Sequence, residues 1–528
     1  MTHILLFIGI VMIACIMMQR ITAKLSIPSL LVFLVLGMMF GVDGLFKISF
    51  DNYQMSDVIC SACLIFIMFY GGFGTSFKAA KPVLIRSASL ASVGVLLTAA
   101  FTGAFVHFVL KLDWLQSLLI GSVIASTDAA SVFGILRSRN LNLKDNTASL
   151  LEVESGSNDP VSYMLTVVLC TLMSGQEISV FVLLFKQIVF GFLLGLVFGK
   201  TASKLMKSGH IHSEGSTIFV LAIVLLTYAA SALMGGNGYL SVYICGILMG
   251  NTRIKNKRQL VQFFDTLTSM AQMMIFFLLG LLVTPSELPE VFVPALIIMV
   301  FLTLIGRPLA VLMTLIPFGT TVQQVGLVSW SGLRGVASIV FAITIVLSDS
   351  VLSYNIFNLV FCIVLLSISI QGTLLPKVAQ KLNMIDDTND VLKTFTDYEE
   401  ESNIRFIKIH VDGHHSWISK PISELPIPKE FLIVLILRNG KELVPNGSTI
   451  VEQGDLMVIA AQEFSDRQNL SMQEIIIDKN HSWVNLSLKQ ITLDEGSLVI
   501  MIKRNETTVI PGGETVILPE DTLVIAKH

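Results

Sequence analysis

For its first 383 residues the chain alternates between apolar runs of about twenty residues and short polar breaks, and then it changes to short alternating segments. A helix needs about 20 mostly apolar residues to span a bilayer. Runs of that kind fall at about 4–20, 26–42, 57–75, 87–110, 115–136, 147–173, 178–199, 215–234, 238–250, 264–283, 291–316, 323–347 and 355–376, thirteen in all. The first lacks a small-residue cleavage site and is followed by further spans, so it reads as a retained helix. From about 403 onward, short alternating runs are separated by Gly, Pro and Asn turns, the pattern of small strands and hairpins. The predicted fold is an all-α polytopic membrane protein of 13 transmembrane helices followed by small α/β modules. Its parts are a transmembrane domain over 1–383, an acidic linker over 384–402, and two modules over 403–466 and 467–528.

Composition sharpens this division. The chain is 53% hydrophobic and 14% charged with a mean hydropathy of +0.76, whereas soluble domains carry roughly a quarter charged residues. Residues 1–383 hold 22 Lys+Arg and 15 Asp+Glu, and residues 384–528 hold 13 and 23, so a basic apolar part carries an acidic polar one. The net charge of −3 argues against a nucleic-acid partner, and the composition against a secreted disulfide scaffold or a coiled coil. All six Cys lie in the apolar part. Cys60 and Cys63 have the spacing of a redox or zinc pair, but with no second pair they read as small residues along one helix turn.

Basic loops stay cytoplasmic. With the N-terminus outside, the inner loops collect 17 Lys and Arg, among them Arg20, Lys78, Arg137, Lys200, Arg258 and Lys377, against Lys47 and Lys111 in the outer ones. An odd number of spans then leaves the C-terminal tail cytoplasmic. A weak echo links IMFYGGF around Ile67 with IFFLLGL 208 positions later, and ASVF at Ala130 with ASIVF about 207 later. Repetition across an odd number of helices predicts inverted repeats with broken crossing helices, the plan of secondary transporters.

An ionisable residue on a spanning helix is costly and marks a functional site by default. Those weighed here are Asp128, Glu152, Glu154, Asp159, Lys186, Arg307 and Arg334. Asp128 lies in ASTDAAS, whose hydroxyl-rich run favours unwound backbone facing a cation; the alternative is a carboxylate neutralised or hydrogen-bonded to its neighbours. In Glu152–Pro160, Ser155 and Asp159 share one helix face at i,i+4, while Glu154 and Asn158 share the adjacent one. Pro160 frees the carbonyl of Gly156. Such oxygens suit a hard monovalent cation or a proton; an acid-rich helix start outside the membrane is the alternative. Arg307 and Arg334 need anionic partners, and Arg334 occupies the repeat position that matches Asp128. Lys186 reads as snorkelling to the interface, and His107 as a packed neutral residue.

Together, Thr127-Asp128, Glu154-Ser155-Gly156, Asn158-Asp159-Pro160, the stretch GNGYLSVYICGILMGN at 236–251, Gly306-Arg307 and Gly332-Leu333-Arg334-Gly335 resemble the monovalent cation/proton antiporters of the sodium/proton exchanger branch, bacterial K+/H+ antiporters included. The resemblance covers nearly all of residues 1–383. It implies that the Asn158-Asp159 pair marks the ion site, with Asp159 carrying proton and cation in turn and Thr127, Asp128 and Ser155 completing the shell. It also implies that Glu154 pairs with Arg307, that Arg334 holds the second broken helix, and that the protein is a homodimer with a scaffold and a moving core. Because position 158 is Asn and not a second Asp, a single titrating carboxylate predicts one-for-one, electroneutral exchange.

The tail repeats itself at a constant offset of 66: His415-Ser416-Trp417 matches His481-Ser482-Trp483, Arg438-Asn439 matches Arg504-Asn505, and Pro445, Gly447, Thr449 and Asp455 match Pro511, Gly513, Thr515 and Asp521. Each copy resembles the C-terminal RCK (TrkA-C) domain. That resemblance implies modules that dimerise and bind small ligands, cyclic di-AMP among them, with Arg438, Asn439 and Pro445 as candidate ligand contacts. Two passive dimerisation modules are the alternative. The second copy departs with Glu506 in place of Gly440 and Glu520 in place of Gly454. No GxGxxG follows a strand in the tail, so nucleotide regulation by that route is not expected.

These readings predict a secondary antiporter in the bacterial plasma membrane, exchanging K+ or Na+ for H+, with K+ favoured by association of the tail with potassium systems. An RCK-gated channel would need a carbonyl filter of the TVGYG kind, which is missing. A non-transporting sensor would need no intramembrane carboxylate. With no nucleophile and base, metal triad or phosphate loop, neither an enzyme nor a cofactor is expected.

Overall fold

A computed structural model describes residues 2–386 and 404–527, apart from 26–28, 140, 176–178, 209–210, 212–214, 253, 255–256, 349–354, 414, 416, 426, 428–430, 439–440, 463–470, 479–480, 492, 494–496, 505–506 and 510. The chain divides into two units, 1–400 and 401–528.

Among the described residues the first unit is built of helices and their connections. Among the described residues seven helices are long and apolar enough to cross a membrane: Tyr53–Gly74, Leu84–Leu110, Val180–Lys207, Ser216–Leu233, Lys257–Leu282, Pro285–Phe318 and Ile356–Lys381. Shorter apolar helices lie at Gly9–Met18, Leu30–Phe40, Trp114–Val123, Gly238–Gly250 and Val336–Leu347. One further helix, Thr147–Met173, is long but carries Glu152, Glu154 and Asp159. Large side chains such as Phe181, Phe185, Ile188 and Phe192 stay exposed along Val180–Lys207, as expected of a surface solvated by lipid. An adjoining stripe of that helix, Gly191, Gly195 and Gly199, packs on Gly238–Gly250: a Cβ at Gly195 would lie 2.6 Å from the carbonyl of Ser241.

Two helices are interrupted. Trp114–Val123 ends at Ile124, and the chain resumes as a helix at Ala129–Ser138. Val322–Trp330 ends at Ser331 and resumes as Val336–Leu347. Hydroxyl residues and glycines supply both gaps, since Ser and Thr compete with the helix for backbone bonds and Gly orders at greater entropic cost. The gaps face one another: the backbone N–H of Asp128 donates to the carbonyl of Leu333 at 2.8 Å, and Arg334 Nη1 donates to the carbonyl of Ser126 at 2.8 Å. Gly335 makes this approach possible, because a Cβ there would lie 2.5 Å from Cβ of Asp128.

Three π-type turns, at Leu90–Gly94, Leu302–Gly306 and Ser367–Gly372, sit inside long helices. The second delivers Arg307, and the third contains Ser367 and Gln371. Such turns cluster at functional positions because they rotate the residues that follow. Beyond the last helix, residues 382–386 fold back on the loop before Thr147: Leu143 and Ile385 form an antiparallel bridge, Lys144 N donates to the carbonyl of Met384 at 3.0 Å, and Asp386 N donates to that of Asn142 at 3.0 Å.

The second unit holds two four-stranded antiparallel sheets with the same order. Strands β1 (Ile404–His410), β2 (Phe431–Arg438), β3 (Lys441–Leu443) and β4 (Leu456–Gln462) run in the order β1-β4-β2-β3; β5 (Ser471–Ile476), β6 (Ser497–Arg504), β7 (Thr507–Val509) and β8 (Thr522–Lys527) run in the order β5-β8-β6-β7. Each has its own apolar core, Ile436 and Met457 in the first and Ile502 and Leu523 in the second. The short helix expected of an α/β module is, among the described residues, a single 3-10 turn in each copy, Ile422–Glu424 and Leu488–Gln490.

Candidate ion-binding site

Asp159 lies near the middle of Thr147–Met173 and is 7% exposed. Its carboxylate accepts a short hydrogen bond from Ser126 Oγ. The neighbouring Asn158, fully buried, donates through Nδ2 to Thr127 Oγ1 at 2.5 Å, while its Oδ1 has no hydrogen-bond partner among the described residues. Ser155 closes the set: its hydroxyl donates to the carbonyl of Thr127 at 2.8 Å and accepts from the N–H of Ala129 at 2.9 Å. One helix thus clamps the gap of another, and the residues from 126 to 129 are held by the face carrying Ser155, Asn158 and Asp159. The contact extends one turn on, where Ser162 Oγ donates to the carbonyl of Ser122 at 2.6 Å.

Asp128 is placed in this gap with its carboxylate turned to its own helix. It accepts from the N–H groups of Ala130 at 3.0 Å and Ser131 at 3.3 Å, and from Ser131 Oγ at 2.5 Å. This is the geometry of an N-cap on Ala129–Ser138, so its first duty is to satisfy orphan donors of the resumed helix. Arg334, 1% exposed, does the converse for the preceding half-helix by donating to a carbonyl past its C-terminal end. The Arg334 N–H in turn donates to Ser367 Oγ at 3.1 Å, and Ser367 donates to Gln371 Oε1 at 2.6 Å. The Nε of Arg334 has no partner among the described residues.

Glu154 and Arg307 meet in a short ion pair with both side chains 1% exposed. Only Nη2 of Arg307 makes that bond; Nε and Nη1 have no partner among the described residues. The site helix runs on through Pro160, whose carbonyl accepts from Asn237 Nδ2 at 2.8 Å, and Asn237 Oδ1 caps Gly238–Gly250 at Leu240 N. The structure therefore brings Thr127, Asp128, Ser155, Asn158 and Asp159 into one cluster, with Arg334 joined to it through Ser126 and Glu154–Arg307 as a separate pair on the same helix. Ser126 is the contact that reading the sequence did not single out, although it stands inside ASTDAAS.

The remaining expectations fall elsewhere. Lys186 is exposed. His107 Nδ1 lies 2.7 Å from the carbonyl of Leu112, with its ring stacked on Trp114 at 4.0 Å. Cys60 and Cys63 are buried free thiols, and among the described residues no group of three metal-type ligands exists.

In the tail, Arg438 donates through Nε and Nη2 to the two oxygens of Asp455, each at 2.8 Å, through Nη1 to Glu452, and through Nη2 to the carbonyl of Ile450. Every nitrogen of its guanidinium is engaged within its own module, which gives it a holding role. Arg504 repeats the fork on Asp521 at 2.8 and 2.7 Å. Burial alone lifts the Asp455 carboxyl, but the hydrogen bonds from Arg438 and from the Glu452 N–H, with the Arg438 charge, outweigh it and hold the group below the usual carboxylate range. Asp521 is held low in the same way by Arg504 and the Leu518 N–H. Pro445 sits half-buried in the connection after β3, and Asn439 lies outside the described residues.

The sodium/hydrogen exchanger, transmembrane, family profile matches residues 8–381, and the TrkA-C domain profile matches 408–463 and again 472–526. Over 458 residues the chain is 33% identical to the K(+)/H(+) antiporter NhaP2 of Shewanella sp. (strain ANA-3), covering 85% of this chain and 79% of that one. It is 32% identical over 461 residues to the K(+)/H(+) antiporter NhaP of Alkalimonas amylolytica, covering 86% and 80%. Among solved structures, that of the sodium proton antiporter MjNhaP1 from Methanocaldococcus jannaschii shares the fold, with a TM-score of 0.64 at 24% identity over 71% of this chain and 97% of that one. With the membrane unit and both tail repeats matched, the chain belongs to the sodium/hydrogen exchanger family, as a multi-pass membrane transporter carrying TrkA-C domains.

Proposed function

We propose that the protein exchanges a monovalent cation, K+ in preference to Na+, for protons across a bacterial plasma membrane, with Asp159 as the group that each occupies in turn. The observation that carries this reading is a buried carboxylate at mid-helix, set against an interrupted helix whose Ser126 hydroxyl donates to it and whose Thr127 hydroxyl and carbonyl meet its neighbours Asn158 and Ser155. A carboxylate that holds either a proton or a cation, and reorients only when neutral, couples the two fluxes by competition. One pH unit across the membrane then supplies about 1.4 kcal/mol for moving the cation. Asn158 brings no second titrating group, which favours one-for-one, electroneutral exchange. Thr127, Ser155 and Asp128 complete the shell, Asp128 by fixing the gap as a cap, while Glu154–Arg307 and Arg334 set the geometry of the moving parts. The relatives named K(+)/H(+) antiporters support K+.

The reading takes thirteen spans: the seven long helices, the five shorter apolar ones and Thr147–Met173, with each interrupted helix counted once. It places the N-terminus outside and the tail in the cytoplasm, as the Lys and Arg count favours, with the halves related as inverted repeats and the protein a homodimer. The tail regulates transport by binding a small ligand such as cyclic di-AMP. Support for such coupling is the strap at 382–386, since it pairs with the loop joining Ala129–Ser138 to the helix of Asp159.

The test is cation-dependent dissipation of a pH gradient in everted vesicles, with Na+, K+ and Rb+ compared and cyclic di-AMP added. Exchange with K+ above Na+ and no response to membrane potential is the expected result; no cation-dependent proton movement overturns the reading.

A further inference from the structure

A second carboxylate stands in the membrane unit, one turn into Tyr53–Gly74. Asp57 is half-buried, and among the described residues its one hydrogen-bond donor is Thr344 Oγ1, at a long 3.5 Å. The helix dipole does not account for it: Asn52 already caps this helix, and the first turn carries no acid. A carboxylate offers about four lone-pair sites, so most of its accepting capacity is uncommitted.

A continuous set of side chains leads from Asp57 to Asp159. Tyr163 lies one turn beyond Asp159 on the same helix face. Its ring packs on Tyr239 at 5.0 Å and Phe341 at 5.4 Å, and Tyr239 packs on Tyr228 at 5.2 Å. Thr344, which reaches Asp57, is three residues beyond Phe341 on Val336–Leu347. At this end of the unit the connecting segments meet: Ser286 N donates to Asp43, Asn358 Nδ2 donates to Glu287 at 3.0 Å, and Tyr53 packs on Phe357. Asp43, Asp51 and Glu287 thus stand on connecting segments at this end, where acidic charge raises the local concentration of cations.

We infer that Asp57, with Thr344 Oγ1, forms a second monovalent-cation site at the end of the membrane unit where Tyr53–Gly74 begins, from which the ion passes the aromatic layer of Phe341, Tyr163 and Tyr239 to Asp159. Carboxylate and hydroxyl oxygens replace part of the hydration shell, and aromatic faces attract a partly desolvated cation. The inference rests on the exchange proposed above, and its test separates the two.

Cation-dependent proton movement is measured in right-side-out and in everted vesicles while K+ is varied. Asp57→Asn is expected to raise the apparent KM for K+ supplied at the outer face about tenfold, equivalent to about 1.4 kcal/mol, against less than twofold for K+ supplied at the inner face. Asp57→Glu should restore most of the outer affinity, and Thr344→Val should shift it in the same direction by less. An unchanged outer KM, or equal increases at both faces, overturns the site. Should Asp57→Asn fail to reach the membrane, Thr344→Val and Asp57→Glu carry the same side-resolved reading. Wild-type vesicles without cation-dependent proton movement would instead overturn the exchange itself.

Discussion

In the membrane unit Arg307 meets Glu154 through one nitrogen and leaves two buried without partners among the described residues; in the tail Arg438 closes a fork on Asp455, turns its third nitrogen to Glu452, and the second module repeats the fork with Arg504 and Asp521. The same two chemical groups serve opposite ends. Two parallel charge-assisted bonds add geometry to attraction, so the tail pairs pin each β2- or β6-type strand to the turn before the last strand. A single contact in a low-dielectric interior adds little geometry, and its desolvation penalty of several kcal/mol per ion is repaid only by excellent satisfaction. Asn158 Oδ1 and Arg334 Nε are likewise without partners near the same gap. The membrane unit therefore concentrates polar groups whose needs are incompletely met where the proposed exchange calls for rearrangement, and the tail satisfies them at positions that hold its strands together.

The largest effect should come from Asp159, to which the proposed exchange is assigned. Asp159→Asn is expected to lower exchange in vesicles by at least 100-fold, about 2.7 kcal/mol of coupling, with insertion and helix content retained; transport at wild-type rate would remove the functional half of the comparison. By contrast, Asp455→Asn in the tail should leave the uninduced exchange rate within about twofold.

Next in size are the pair mutants. Removing one member of a buried ion pair leaves an uncompensated charge and costs about 3–5 kcal/mol. Glu154→Gln and Arg307→Ala should each lower the thermal midpoint of the purified protein, and the double variant should lose less than the summed singles. Additive losses would mean that the two do not act as a pair. In the tail, Asp455→Asn should cost about 1.5–3 kcal/mol of local stability, the range for a hydrogen bond to a charged group, read as faster hydrogen exchange in β2 and β4.

The pH dependence of the tail follows from the same forks. Asp455 and Asp521 have folded values below their unfolded ones, so their contribution is present above the ordinary carboxylate range and is lost as pH falls through the folded values. Hydrogen exchange on the intact protein, with its intrinsic rate corrected, should show β4 and β8 loosening only at pH below about 4. Asp455→Asn should flatten that response in β4 and leave it in β8.

How far the sequence carried depended on whether a residue's setting was local. The apolar runs, the gaps at ASTDAAS and SGLRG, the 66-residue tail repeat and the cluster Glu154–Asp159 all follow from neighbours along the chain. Ser126 does not, because which hydroxyl of Ser126 and Thr127 turns to Asp159 is decided by how an unwound backbone lies on another helix. Ser367 and Gln371 were illegible for a similar reason, since a π turn rotates them towards Arg334. Asp57 reads as the first residue of an apolar run, and only the packing of Val336–Leu347 brings Thr344 to it. Arg438 was legible as a repeated position but not as a saturated one, because Asp455 and Glu452 lie across a hairpin.

The smallest expected effect compares the two tail modules with each other. Gly454 has a φ of +87° and Glu520, its counterpart, a φ of +69°. The backbone N–H bonds match, Gly454 to the carbonyl of Val411 at 2.9 Å and Glu520 to that of Ile477 at 2.8 Å, so the turn is the same and only the residue differs. A left-handed backbone costs an L side chain roughly 1–2 kcal/mol, a cost that glycine avoids, while glycine's freer unfolded chain returns roughly 0.4–1 kcal/mol of it. Glu520→Gly should therefore stabilise the second module by about 0.5 kcal/mol, seen as slower hydrogen exchange in β8, and Gly454→Glu should loosen β4 by a similar amount. If Glu520→Gly loosens β8, the strain in this turn is offset by contacts of the glutamate side chain, and the second module has made a fixed feature of what the first leaves to glycine.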